Sequence, residues 1–132
     1  MSIIVRRDIT HPMRHTVQIR DHLLVVDGTS PEGGEDAGPS AHDLYDAALG
    51  TCEALTLVWY ARRKDIPLAD VEVIVERDDS QERQGVYKLA TKLKLGGYLT
   101  DEQREELLRV ASKCPVHKLM ASVITEITTE LA

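Results

Sequence analysis

The chain contains no phenylalanine, one tryptophan and four tyrosines in 132 residues. A core without phenylalanine must be filled by Leu, Val, Ile and Ala, which pack by interdigitation rather than ring stacking. Basic charge is scarce as well: 16 Lys and Arg stand against 22 Asp and Glu, a formal net charge of −6. The basic residues are also scattered (Arg6, Arg7, Arg62, Arg63, Lys64, Lys92, Lys94). This balance withholds the positive patch that DNA, RNA or an anionic membrane requires. Long apolar runs are missing too. Ile3, Ile4 and Val5 are followed at once by Arg6, Arg7 and Asp8, which leaves no apolar core for a secretory signal. No stretch reaches the length of a membrane span. These absences predict a cytoplasmic protein, in a compartment where thiols rest reduced. No phosphate-cradling G-x-x-x-x-G-K-[ST] loop, no G-x-G-x-x-G motif, no internal repeat and no Ser/His/Asp arrangement can be read, so no organic cofactor is implied.

What is present reads as one domain, 1–132, of the α+β class. Short strands are predicted at 3–5, 16–19 and 22–26, with a turn at Arg20-Asp21. The stretch 29–38 holds three glycines and three acids and reads as a mobile loop. A long helix is predicted over 40–64. Ser40 can cap it, with Asp43 at the capping-box position. Leu44, Ala48, Cys52, Leu55 and Trp59 recur at helical steps and predict the buried face, while Gly50 predicts close approach by another backbone, such as a partner helix. Strands at 71–76 and 86–95 should form a hairpin, with Tyr87, Leu89, Thr91, Leu93 and Leu95 on one face. Thr100 and Gln103 cap a further helix, Cys114-Pro115 interrupts it, and a last strand is predicted at 123–127. Strands, long helix, hairpin, helix pair and strand in that order define an α+β domain.

Two cysteines supply the only strongly nucleophilic chemistry. Cys52 lies within the long helix, where an apolar setting raises a thiol's pKa and makes it inert unless a cation or donor stabilises the thiolate. Cys114 precedes Pro115 at the start of a helix, next to the positive end of its dipole, with His117 close by. Local reasoning therefore favours Cys114 as the more acidic sulfur. A peroxide-reducing thiol needs an ionised sulfur, a nearby cation and a second thiol that condenses with the sulfenic acid. A zinc site from Cys52, Cys114, His117 and His42 is an alternative use of the same residues, and inert buried thiols are another.

The stretch Pro39-Ser40-Ala41-His42-Asp43-Leu44-Tyr45-Asp46-Ala47-Ala48-Leu49-Gly50-Thr51-Cys52 resembles the opening of the central helix of the OsmC/Ohr family, the osmotically inducible and organic hydroperoxide resistance proteins. Cys114-Pro115-Val116-His117-Lys118 resembles the family's second motif. The resemblance spans nearly the whole chain. It implies an OsmC-like fold, an antiparallel sheet with a long central helix, in an intertwined homodimer. It implies a peroxidase that reduces organic hydroperoxides, with Cys52 attacking, Cys114 resolving and an external dithiol as reductant, and with no metal. The family's activating arginine is assigned to Arg14, with Arg20 next and Arg6 and Arg7 after it. The glutamate that pairs with it in the family is replaced by His42 with Asp43 adjacent, and the phenylalanine that follows the helix cysteine is replaced by Glu53. These departures match a divergent branch. The alternative on the same fold is a non-catalytic module that binds a small molecule or lipid, or senses redox state.

Overall fold

The computed structural model describes residues 1–132, which form two compact units, Met1–Tyr45 and Asp46–Ala132.

The first unit is built on a three-stranded antiparallel sheet: β1 (Ile3–Arg7), β2 (His15–Ile19) and β3 (His22–Val26), in the order β1-β2-β3. Registers Val5↔Val17 and Val17↔Leu24 align an apolar row across it, and Val17 in the central strand is its buried member. The β2–β3 turn is tight, with Arg20 in the left-handed region at φ 52°. The stretch 29–38, expected as a mobile loop, contains a single 3-10 turn at Ser30–Glu32 and is pinned by Asp27. The Asp27 carboxylate accepts the backbone N–H groups of Gly28, Glu35 and Ala37 at 2.8, 3.3 and 3.2 Å. Gly34 packs so closely on Gly28 that an added Cβ would lie 2.0 Å from its carbonyl oxygen.

The long helix, α1 (Ala41–Arg63), opens at the end of the first unit. Ser40 and Asp43 cap it reciprocally: the Asp43 N–H donates to Ser40 Oγ and the Ser40 N–H to Asp43 Oδ2.

In the second unit α1 is followed by β4 (Asp70–Asp78), β5 (Lys88–Gly96), α2 (Asp101–Ala111) and α3 (Pro115–Ala121). β4 and β5 form the expected antiparallel hairpin, pairing Val71↔Leu95, Val73↔Leu93, Val75↔Thr91 and Arg77↔Leu89 along one face. The opposite face is charged, with Glu72 and Lys94 3.5 Å apart and exposed. Thr100 and Gln103 form the capping box of α2. Leu57, Ala61, Ile66, Leu107 and Ala111 make the core, with Val71, Leu93 and Leu95 packed against it.

Three expectations change. The buried face of α1 is Asp46, Leu49, Gly50, Glu53, Leu57 and Ala61, not the stripe through Leu44, Ala48 and Leu55. Two acids lie on the buried face, so counting apolar residues alone selects the wrong side of the helix. Leu55 and Trp59 are exposed, at 67% and 59%. The close approach at Gly50 is to a hairpin side chain: a Cβ there would meet Val75 Cγ2 at 2.7 Å. Residues 123–132 carry no regular structure, and the strand expected at 123–127 does not form within this chain. An edge strand needs a ladder to join, and neither of the chain's two sheets includes this segment.

Candidate thiol site

The buried face of α1 carries carboxylates into an apolar interface, and the hairpin meets each with a polar group. Asp46 accepts from Arg77 Nε and, at 2.7 Å, from the Tyr87 hydroxyl. Burial, the bond to Asp46 and that carboxylate's charge push the Tyr87 hydroxyl up to about 12. Two turns along, Glu53 is only 4% exposed. Its Oε1 accepts from Thr91 Oγ1 at 3.1 Å, and its Oε2 is buried with no hydrogen-bond partner. Burial raises the Glu53 carboxyl above its ordinary value, against smaller lowering effects from the Thr91 hydroxyl and the charge of His117.

Cys52 is half-buried beside Glu53, with its Sγ 4.0 Å from Thr56 Oγ1 one turn on. Cys114 is fully buried. It sits at the N-cap of α3, where Pro115 occupies the first helical position, and its Sγ accepts the His117 N–H at 3.4 Å. Neither cysteine is in a disulfide, and Cys52 lies close enough to act on the Cys114 thiol. Burial pushes the Cys114 thiol up. The His117 N–H pulls it down, while the Cys52 side chain and the Glu53 charge push it up again. The N-cap effect that favoured an acidic Cys114 is present but outweighed by burial.

The structure therefore brings together Cys52, Cys114, Glu53, Thr91 and His117. A second thiol nearby is the partner a disulfide needs, and a carboxyl beside the pair can accept or return a proton there. No three His, Cys, Asp or Glu side chains are arranged to hold a metal ion.

The remaining sequence-derived residues lie in the first unit. Arg14 is part-buried and held from three sides: Nη1 is 3.1 Å from His11 Nε2, Nη2 is 3.6 Å from Glu35 Oε1, and Nε is 3.9 Å from Asp27 Oδ2. Glu35 also lies 2.7 Å from His11 Nδ1. Burial alone would raise the Asp27 carboxyl, but the N–H groups of Ala37, Gly28 and Glu35, with the Arg14 charge, hold it below its ordinary value. Arg6, Arg7 and Arg20 are exposed. Asp43 serves as the helix cap described above, and His42, exposed in the first turn of α1, is within electrostatic reach of Glu32.

Sequence reasoning did not find Asp27 and Glu35 as the acids that fix Arg14, nor the Glu53–Thr91 and Asp46–Arg77–Tyr87 groupings. The available signal was the pairing of acids at 46 and 53 on one helix face with a threonine at 91 in an otherwise apolar strand row.

Fold and site together define an α+β protein with two neighbouring free cysteines, one of them on its long helix. The family model described as OsmC-like protein matches residues 33–130, and the chain belongs to that family. Its fold is that of an OsmC-like protein of Mycoplasma pneumoniae (TM-score 0.74, 16% identity, covering 92% of this chain and 87% of that one). It is similarly close to a protein of Legionella pneumophila described as an organic hydroperoxide resistance protein OsmC (TM-score 0.67, 20% identity, 92% and 90% covered). The organic hydroperoxide resistance protein of Bacillus subtilis is a third neighbour (TM-score 0.61, 19% identity, 92% and 90% covered). Among curated proteins, none matches the sequence. No helix is long and apolar enough to cross a membrane.

Proposed function

We propose that this protein is a thiol-dependent peroxidase that reduces organic hydroperoxides through a two-cysteine cycle. The observation that carries this reading is that Cys52 and Cys114, far apart in the chain, are free cysteines close enough for one to act on the other. Membership of the OsmC-like family, and solved neighbours named for organic hydroperoxide resistance, support it.

In the cycle, the Cys52 thiolate attacks the distal oxygen of the hydroperoxide. The O–O bond breaks, the alkoxide takes a proton and leaves as alcohol, and Cys52 becomes a sulfenic acid. Cys114 then attacks that sulfur, forming the disulfide and releasing water. An external dithiol restores both thiols by exchange. Cys52 is assigned the attacking role because it is the more accessible sulfur, and the fully buried Cys114 the resolving role. Arg14 is proposed as the activating cation by its correspondence to the family arginine, and of Arg6, Arg7, Arg14 and Arg20 it is the one that is part-buried. Asp43 and His42 stand at the helix start where the family carries its glutamate, and supporting roles near Arg14 are proposed for them. We further propose a cytoplasmic homodimer, which would cover the exposed Leu55 and Trp59 of α1.

One equivalent of cumene hydroperoxide should consume both thiols and leave an intramolecular disulfide, read by thiol titration and mass spectrometry. Cys52→Ser should abolish peroxide consumption. Cys114→Ser should consume one equivalent and stop at a sulfenic acid that dimedone traps. Peroxide reduction by Cys52→Ser at the parent rate overturns the proposal.

A further inference from the structure

The resolving step is costly as the site stands. Cys114 is a fully buried thiol whose neighbours, on balance, hold its proton on. It must shed that proton to attack, from a residue with no exposure to solvent. One group in the cluster is equipped to take it. Glu53 follows Cys52 directly in the chain, is itself almost wholly buried, and acts electrostatically on Cys114. Thr91 fixes one of its oxygens, and the other is buried without a partner. A buried, unsatisfied carboxylate oxygen is expensive to maintain unless something occupies it for part of the cycle. We propose that Glu53 Oε2 is the proton-relay group of the thiol pair, taking the Cys114 proton as the disulfide closes and passing it to the departing hydroxide.

This proposal rests on the two-thiol chemistry above, in which an organic hydroperoxide is the oxidant. During closure the Cys114 sulfur attacks the sulfenic sulfur of Cys52. The S–S bond forms and the S–O bond breaks. The Cys114 sulfur is oxidised and the sulfenic sulfur reduced. The proton passes from Cys114 to Glu53 and on to the departing hydroxide, which leaves as water. The carboxylate is regenerated and no further reactant is consumed. During reduction a thiol of the incoming dithiol attacks Cys52, the S–S bond breaks, and the proton that thiol gives up passes by way of Glu53 to the expelled Cys114 thiolate.

The surroundings leave this role to Glu53. On α1 its neighbour is Cys52. From β5 it meets the uncharged Thr91. The β4 side chains turned toward this stretch of α1, Val75 and Val73, carry no charge. The α3 segment brings Cys114 and His117 within electrostatic reach of it, and His117 is exposed to solvent.

The test separates closure from peroxide chemistry. Reduced protein is treated with Ellman's reagent, which places thionitrobenzoate on the more accessible Cys52. Attack by Cys114 then expels a second coloured thiolate, and that second phase reports closure with no peroxide present. In Glu53→Gln the second phase should slow about a hundredfold or more, the range a positioned proton acceptor supplies, while the first phase stays close to the parent rate. In the parent, the second-phase rate should rise as one carboxyl ionises and then level off. A thiol deprotonated by solvent would instead keep accelerating through the thiol range. A second phase in Glu53→Gln as fast as the parent's, with the parent's pH profile, overturns the proposal. If Glu53→Gln does not fold, the parent's profile decides alone: continued acceleration to high pH overturns the relay. A parent that closes the disulfide by this route yet ignores cumene hydroperoxide sinks the peroxidase reading and leaves the relay standing.

Discussion

At the scale of single residues, Glu53 ties stability to pH. Its folded pKa lies above its ordinary value of 4.5 because burial disfavours the charged form. The folded state therefore holds this proton more tightly than the unfolded chain does. The stabilisation is complete below the unfolded pKa. It is lost as pH rises through the folded pKa, where a carboxylate must sit ionised in a buried place. Glutamine keeps the shape and the acceptor for Thr91 but cannot ionise. Melting Glu53→Gln and the parent side by side from about pH 4 to about pH 8 should show the variant gaining on the parent with rising pH, the gain concentrated just above the ordinary carboxyl range. A difference that stays constant with pH would place the burial penalty elsewhere. The neighbouring acid answers the same problem differently. Asp46, equally buried, is met by Arg77 and Tyr87, so both of its oxygens are occupied. Of two acids on one helix face, the one left incompletely paired is the one beside the sulfurs.

At the scale of elements, the contact of α1 with the hairpin is decided at Gly50. Alanine there would gain about 1 kcal/mol of helix propensity. Its Cβ would, however, press on Val75 Cγ2 at 2.7 Å. Valine is stiff about χ1 and cannot swing away, and overpacking of this kind costs about 1–3 kcal/mol. The clash outweighs the propensity, so Gly50→Ala should lower stability by about 1 kcal/mol in urea unfolding. In a Val75→Ala background the same change should become neutral or stabilising, because the obstructing methyl is gone. If Gly50→Ala destabilises equally in both backgrounds, the close approach is not the reason for glycine. Much of this element-level plan was legible in the sequence. Period-two alternation gave the hairpin and the face that carries Thr91, and Ser40, Thr100 and Pro115 marked three helix starts. The buried side of α1 was not legible, because Asp46 and Glu53 interrupt the apolar pattern and their hairpin partners lie far along the chain. The same limit governs the site. Two cysteines could be nominated from residue type and motif, but that Glu53 joins them depends on Thr91 and His117, which no local pattern connects.

At the scale of the whole molecule, the C-terminal part of the α1 stripe read from the sequence as its core face is instead exposed. Leu55 and Trp59 stand open to water, with the Arg63 guanidinium 5.1 Å from the centre of the Trp59 ring. Each apolar side chain of this size forgoes about 1.5–3 kcal/mol by remaining exposed. Their regular spacing along one helix is the pattern of a helix that packs against another helix. Cys52 lies on the same stripe, half-buried, so what covers Leu55 and Trp59 would also set the access of peroxide to sulfur. A second copy of this chain is the occupant that the proposed homodimer supplies. Light scattering on the parent should then give twice the mass of the chain, and Trp59, as the single tryptophan, should emit at the short wavelengths of a buried indole. Leu55→Glu places a charge in the middle of that contact. It should yield monomer, shift Trp59 emission to the red, and raise the rate at which Cys52 reacts with Ellman's reagent. A parent that scatters as monomer throughout the micromolar range, with red-shifted emission, would show that the stripe serves something other than self-association. The faster labelling is the discriminating part: a helix face that is simply exposed would leave Cys52 equally reactive in both proteins.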